Sequence, residues 1–176
     1  MLYLFTFNVL NVQTMFKSIF IAVAFFLSSC TTTYYVVRHA EKETATTMSS
    51  DVPLSTAGRQ RAEALKNRLQ SRNIKYLFAT PTLRTNATLQ PLSNAIYIPI
   101  VAYNNDTLNQ FINRLRTIKN SNVVIAGHSN TVDDIVNTLT GRNYIAGDLP
   151  ETAFGDLFIV KRKGNTYTFY KDHFGE

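Results

Sequence analysis

Two stretches of this chain, YYVVR at 34–38 and VVIAG at 123–127, are strand-length apolar runs without polar alternation. A strand with one wet face alternates apolar and polar residues. These do not, so both of their faces must be covered, as in a parallel sheet carrying helices above and below. KYLFA at 75–79 and IYIPIV at 96–101 have the same character, and Pro99 places the second at a sheet edge because it cannot donate to a ladder. Helical patterns separate the runs. Ala62, Leu65 and Leu69 follow Ser55 and Thr56, which are capping candidates. Leu108, Phe111, Ile112 and Leu115 recur at helical spacing, as do Val132, Ile135, Val136 and Leu139. The tail LFIVKRKGNTYTFYK reads as a hairpin about Gly164-Asn165. The expected fold class is α/β: a three-layer α/β/α sandwich on a mostly parallel central sheet.

Residues 1–29 stand apart from this pattern. Met15-Phe16-Lys17 is a short basic start, and the apolar run IFIAVAFFL at 19–27 is too short to span a bilayer easily. It ends in LSSC, Leu27–Cys30, which resembles a bacterial lipobox and makes Cys30 the candidate lipidation site and mature N-terminus. Met15 is a credible alternative start, and plain signal cleavage with Cys30 incidental is the rival reading. The expected organisation is a signal peptide over 1–29 and one domain over 30–176. The expected location is the bacterial cell envelope, lipid-anchored at the periplasmic face or outer membrane. Thr31, Thr32 and Thr33 alone separate the anchor from the first apolar run, so the domain is expected close against the bilayer. Cys30 is the only cysteine of the chain, which leaves the domain no disulfide, thiol nucleophile or cysteine-based metal site. The net charge of +6 comes from Lys and Arg scattered along the sequence without a basic block. That points to a mild preference for anionic ligands and away from nucleic acid.

In open α/β sheets, ligands bind beyond the carboxyl ends of the strands. Arg38-His39 closes the first run, and Gly127-His128-Ser129-Asn130 closes another. Two of the three histidines of the chain thus stand at equivalent strand ends, while His173 reads as a surface residue. After the run at 75–79, Thr80 is a candidate N-cap with Pro81 at the first helical position, which puts Arg84 one turn into a helix near a third strand end. Three carboxylates have weaker claims. Asp106 follows the run at 96–101, where Asn104-Asn105-Asp106 also reads as a helix cap. Glu41 reads as paired with Lys42 or solvated, and Asp51 as a loop-turn residue before Pro53 with lining of the site's mouth as the alternative.

Taken together, Arg38-His39-Ala40-Glu41, PLSTAGRQRAEAL, TPTLRTNAT and GHSNTV resemble the histidine phosphatase superfamily, the phosphoglycerate mutase-like proteins, over residues 33–171. The resemblance implies the phosphoglycerate mutase-like fold. It makes His39 the nucleophile and Arg38, Arg84 and His128 the phosphate pocket, with Ser129 beside them at the turn after the strand. Thr80 stands where that family often has serine and Ala87 where it often has glutamine. No clear glutamate occupies the place of the usual general acid, which leaves Asp106 as the candidate acid. The chemistry suits these residue types. A phosphomonoester carries about two negative charges, guanidinium forks bind its oxygens, and a neutral imidazole can attack phosphorus. No metal and no cofactor is expected. The expected function is a phosphoric monoester hydrolase acting on a phosphorylated small molecule or phosphoprotein. A catalytically weak anion-binding lipoprotein is the alternative, and a phosphomutase a lesser one.

Overall fold

A computed structural model of the chain describes residues 31–44 and 51–175. The segment 1–29 expected to be a signal peptide and the candidate lipidation site Cys30 lie outside the described residues.

The elements run β1 (Thr31–Arg38), α1 (Thr56–Leu69), β2 (Ile74–Ala79), α2 (Leu83–Ile96), β3 (Ile100–Ala102), a 3-10 turn (Asn105–Thr107), α3 (Leu108–Thr117), β4 (Asn122–Gly127), α4 (Val132–Thr140), β5 (Asp156–Lys163) and β6 (Thr166–His173). The strands form one sheet in the order β3-β2-β4-β1-β5-β6. β3, β2, β4 and β1 are mutually parallel, and β5 and β6 extend the sheet as an antiparallel hairpin beside β1. A mostly parallel mixed sheet with helices on both faces makes this the expected three-layer α/β/α fold.

Unbroken apolar strands are explained by what covers them. Successive side chains of β1 go to opposite faces. Tyr35 and Val37 pack with Leu65 and Leu69 of α1 and Leu89 and Leu92 of α2. Tyr34 and Val36 pack on the other face with Ile112 and Leu115 of α3 and Ile135 and Leu139 of α4. These leucines and isoleucines are fully buried, each stabilising the fold by roughly 1.5–3 kcal/mol relative to exposure.

Four local expectations need correction. β1 begins at Thr31, because Thr31 and Thr33 already pair with Lys163 and Lys161 of β5; the threonines are strand, not linker. The strand expected at 96–101 is reduced to Ile100–Ala102, since α2 continues to Ile96 and ends on Tyr97 in the left-handed region at φ 57°. β3 does lie at the sheet edge. α2 is capped by Thr82, whose side chain accepts from Thr85 N–H, and not by Thr80. Glu41 pairs with Arg61, as described below, rather than with Lys42 or solvent.

Candidate active site

The site is assembled by strand adjacency. β1 and β4 are parallel neighbours with Arg38 in register with Gly127, and His39 N–H donates to the Gly127 carbonyl at 2.8 Å. His39 and His128 therefore leave the sheet side by side, with ring centroids 5.4 Å apart at 66°. β2 flanks β4 on its other side with Ala79 opposite Ala126. That adjacency delivers Thr80 to His128, with Oγ1 and Nε2 2.8 Å apart. The chain then bends through Pro81 into α2, whose second residue is Arg84, and its Nη2 lies 3.4 Å from His128 Nδ1. Three adjacent strand ends and one helix start thus bring together Arg38, His39, Arg84 and His128, as the sequence predicts.

The hydrogen bonds fix both imidazole tautomers. His39 Nδ1 lies 2.8 Å from the Ala40 carbonyl, which can only accept, so Nδ1 carries the proton and Nε2 keeps its lone pair. A guanidinium can only donate, so His128 Nδ1 accepts from Arg84 and its Nε2–H donates to Thr80 Oγ1. Thr80 passes its own hydroxyl proton to Thr85 Oγ1 at 3.1 Å, and Thr85 donates in turn to the Thr80 carbonyl at 2.7 Å. The relay explains why Thr80 is not a helix cap: its hydroxyl holds His128.

Both rings are neutral near pH 7. Burial pushes His39 down to about 4, and Arg84, His128 and Arg38 push the same way against the Ala40 bond. His128 is likewise lowered to about 4, by burial first and then by Arg84 and Arg38. A neutral, oriented imidazole with a free lone pair is the form that can attack an electrophile.

The two arginines are held differently. Arg38 is only 3% exposed. It donates to the Pro150 carbonyl and to Glu151 Oε2, each at 2.9 Å, and its guanidinium lies 4.3 Å from the Phe154 ring centroid. Its buried Nε–H makes no hydrogen bond among the described residues, leaving a donor that an oxyanion can use. Arg84 pairs with Asp51 at 3.4 Å, and the Asp51 carboxylate also accepts from the Leu83 N–H at 2.9 Å. Asp51 thus belongs to the rim of the site and is more than a loop turn.

A second layer immobilises the His39 loop. The Ala40 N–H donates to Thr88 Oγ1 at 2.9 Å, and Thr88 donates to the Arg84 carbonyl at 2.7 Å. Glu41 accepts from Arg61 Nε at 2.8 and 2.9 Å on its two oxygens. The Glu41 carbonyl accepts from the Ser55 N–H at 2.9 Å, while the Ser55 side chain caps α1. A Cβ on Gly58 would stand 2.0 Å from that same carbonyl. The STAG segment therefore combines a cap with the glycine that lets the helix start press against the His39 loop.

The remaining candidates fall out as follows. The Ser129 carbonyl accepts from the Leu149 N–H at 2.9 Å, which ties the loop before β5 to the turn after His128. That turn spans 128–131, held by Thr131 Oγ1 accepting from the His128 N–H at 2.9 Å, so α4 starts at Val132 instead of directly behind His128. Asp106 is exposed in the 3-10 turn, where its N–H donates to the Asn104 side chain at 2.9 Å. Its carboxylate makes no hydrogen bond or ion pair with the histidine–arginine cluster. Among the described residues no group of three His, Cys, Asp or Glu side chains is placed to hold a metal ion.

Glu151 and Phe154 went unnoticed in the sequence. β5 runs antiparallel to β1 with Phe158 opposite Val36, so the residues preceding β5 lie over the end of β1. Phe154 sits against His39, ring centroids 6.2 Å apart, as well as over Arg38. Glu151 is 82% exposed, and its hydrogen bond to Arg38 holds its carboxyl below the usual range. The only available signal was the ordering of β5 beside β1, which a hairpin pattern does not reveal.

The model of the histidine phosphatase superfamily (branch 1) matches residues 34–105, the span that holds Arg38, His39 and Arg84. Over that span the chain is similar to that superfamily. Solved structures share the fold of this chain well beyond the matched span. The protein histidine phosphatase SixA complexed with tungstate aligns at a TM-score of 0.64 with 18% identity, over 80% of this chain and 96% of that one. A mycobacterial glucosyl-3-phosphoglycerate phosphatase gives 0.63 and 9%, over 81% and 98%. The Entamoeba histolytica phosphoserine phosphatase in complex with 3-phosphoglyceric acid gives 0.59 and 11%, over 82% and 97%. At such identities the likeness is one of fold. No curated protein matches the chain in sequence.

Proposed function

We propose that this protein is a member of the histidine phosphatase superfamily and hydrolyses phosphomonoesters through a phosphohistidine on His39. One observation carries the reading: a buried, neutral His39 with Nδ1–H tied to the Ala40 carbonyl, so that Nε2 points its lone pair beside two arginines and a second histidine. His39 Nε2 attacks phosphorus as the bond to the leaving oxygen breaks, and that oxygen takes a proton. Water then attacks the phosphohistidine, the P–N bond breaks, and orthophosphate leaves. Arg38, Arg84 and His128, with the turn at Ser129, bind the nonbridging oxygens and stabilise the charge spread over the transferring group. Asp51 and Glu151, each an anion ion-paired to a pocket arginine, stand nearer the site than Asp106 and would orient a water that gives the leaving oxygen its proton. The tungstate complex of SixA is consistent with a pocket built for tetrahedral oxyanions. The substrate is a phosphorylated small molecule or a phosphorylated protein side chain. Lipid on Cys30 would hold the enzyme at a bacterial envelope membrane, and loss of palmitate labelling in Cys30→Ser tests that part.

The test of the chemistry is turnover of p-nitrophenyl phosphate in the presence of EDTA. His39→Ala should abolish it with an unchanged circular dichroism spectrum. Arg84→Ala should weaken both turnover and inhibition by vanadate, and Arg84→Lys should restore only part, because a point charge cannot supply two parallel hydrogen bonds. Retained turnover in a folded His39→Ala enzyme sinks the nucleophile assignment.

A further inference from the structure

The cations that look scattered along the sequence are gathered by the fold. The segments 66–75, 114–122 and 161–167 meet where the parallel strands begin, and they contain no Asp or Glu. Short contacts join them around the start of β1. Thr31 is in register with Lys163. Thr33 N–H donates to the Ser121 carbonyl at 3.0 Å, and Thr32 Oγ1 donates to the Ile118 carbonyl at 3.3 Å. The Asn122 side chain bonds the Arg72 carbonyl. On this end Arg72, Lys75, Arg116, Lys119, Lys161 and Lys163 are all exposed, and none forms an ion pair with a described residue. Tyr97, which ends α2 at the same end of the sheet, is 91% exposed. The carboxylates Asp51, Asp106, Asp133 and Glu151 follow the opposite strand ends, around the active site.

We propose that this basic end of the domain docks on a leaflet of anionic phospholipid, with the active site facing away from it. The proposal rests on the Cys30 anchor inferred above, and two observations commit the face to lipid. Cys30 is bonded to Thr31, and Thr31 lies in this face, so an anchor there delivers this end of the sheet to the surface. The face also joins unpaired cations to an exposed tyrosine, the pairing that suits a headgroup layer with its apolar boundary beneath. β1 has eight residues, and at about 3.3 Å per residue His39 stands roughly 25 Å from the docked end. The substrate therefore enters from the aqueous side, and an anchored domain is not confined to membrane-embedded phosphates.

Each Lys or Arg near an anionic surface contributes about fivefold in partitioning, so three of them amount to roughly a hundredfold. The experiment compares the full chain with its Arg72→Gln, Lys119→Gln, Lys163→Gln variant, both retaining Cys30 and the same N-terminus. Co-sedimentation is measured with vesicles of phosphatidylglycerol and phosphatidylcholine, and with phosphatidylcholine alone, at about 0.1 M salt where screening leaves short-range attraction. The variant's preference for the anionic vesicles should be about a hundredfold weaker than the parent's, while it keeps its turnover of p-nitrophenyl phosphate. Equal preference in the two proteins overturns the proposal. So does a variant that loses retention of duplex DNA but binds vesicles as the parent does. A second triple, Lys75→Gln, Arg116→Gln, Lys161→Gln, gives an independent reading of the same face. Failure of the anchor is read separately: unlabelled Cys30 leaves the ratio between vesicle types meaningful, because both proteins share the N-terminus.

Discussion

Acidification from about pH 7 to about pH 5 should destabilise this domain through the two histidines of the site. His39 has its pKa lowered from 6.5 to about 4, chiefly by burial. The unfolded chain therefore binds a proton below about 6.5 that the folded state refuses until about 4. Stability from this group is fully present above 6.5 and is lost as pH falls between those values. At about pH 5 the difference spans some 1.5 units, or about 2 kcal/mol for His39 at 1.36 kcal/mol per unit. His128 is shifted the same way but is more open to solvent, so about 1 kcal/mol is the discounted figure. The total of about 3 kcal/mol is a large fraction of a typical domain's stability. Carboxylates act in a different window. Arg38 holds Glu151 low and Arg68 holds Asp172 low, so their contributions decay only below about pH 4.5. Urea unfolding followed by circular dichroism at several pH values between 7 and 5 reads the slope directly. The parent should lose about 3 kcal/mol over that interval, and His39→Gln should lose only the roughly 1 kcal/mol due to His128. An identical slope in the two proteins would refute a buried neutral His39, whatever their absolute stabilities.

Two further outcomes bear on how the site is held. Thr80→Val keeps the shape but removes the acceptor for His128 Nε2–H; a buried donor left unpaired costs roughly 1–3 kcal/mol, so kcat/KM should fall about tenfold or more, with Thr80→Ser restoring it. Parent-like kinetics in Thr80→Val would show that His128 is oriented by other contacts. Glu151→Gln removes the anion that competes with substrate for Arg38, so inorganic phosphate should inhibit severalfold more tightly, and an unchanged inhibition constant would mean that the carboxylate swings clear whenever phosphate binds.

Much of the site was legible because its residues are tied to local signals. A strand that runs apolar to its last residue and then turns to Arg38-His39 declares where the buried segment stops. The same holds for Gly127-His128, and in a parallel sheet all such ends fall on one side. Arg84 was legible for a similar reason, since a helix start just after a strand points back to that strand's end. Thr80 was misread as a cap because its hydroxyl has two possible partners. Local geometry favours the helix N–H, whereas the adjacency of β2 to β4 supplies His128.

What the sequence alone determined was the set of elements and the groups standing at their ends, since burial on both faces and helical periodicity are properties of short stretches. Only the tertiary structure decided which groups meet. The antiparallel placement of β5 beside β1 carries Glu151 and Phe154 onto Arg38, from more than a hundred positions away in sequence. Gly58 is needed because a helix start presses on the Glu41 carbonyl, a contact between segments and not a feature of either. The charges show the difference most plainly: read along the chain, Arg72, Lys119 and Lys163 are isolated cations, and strand order alone brings their segments to one end of the sheet. Electrostatic potential depends on distance in space, and sequence separation does not encode it.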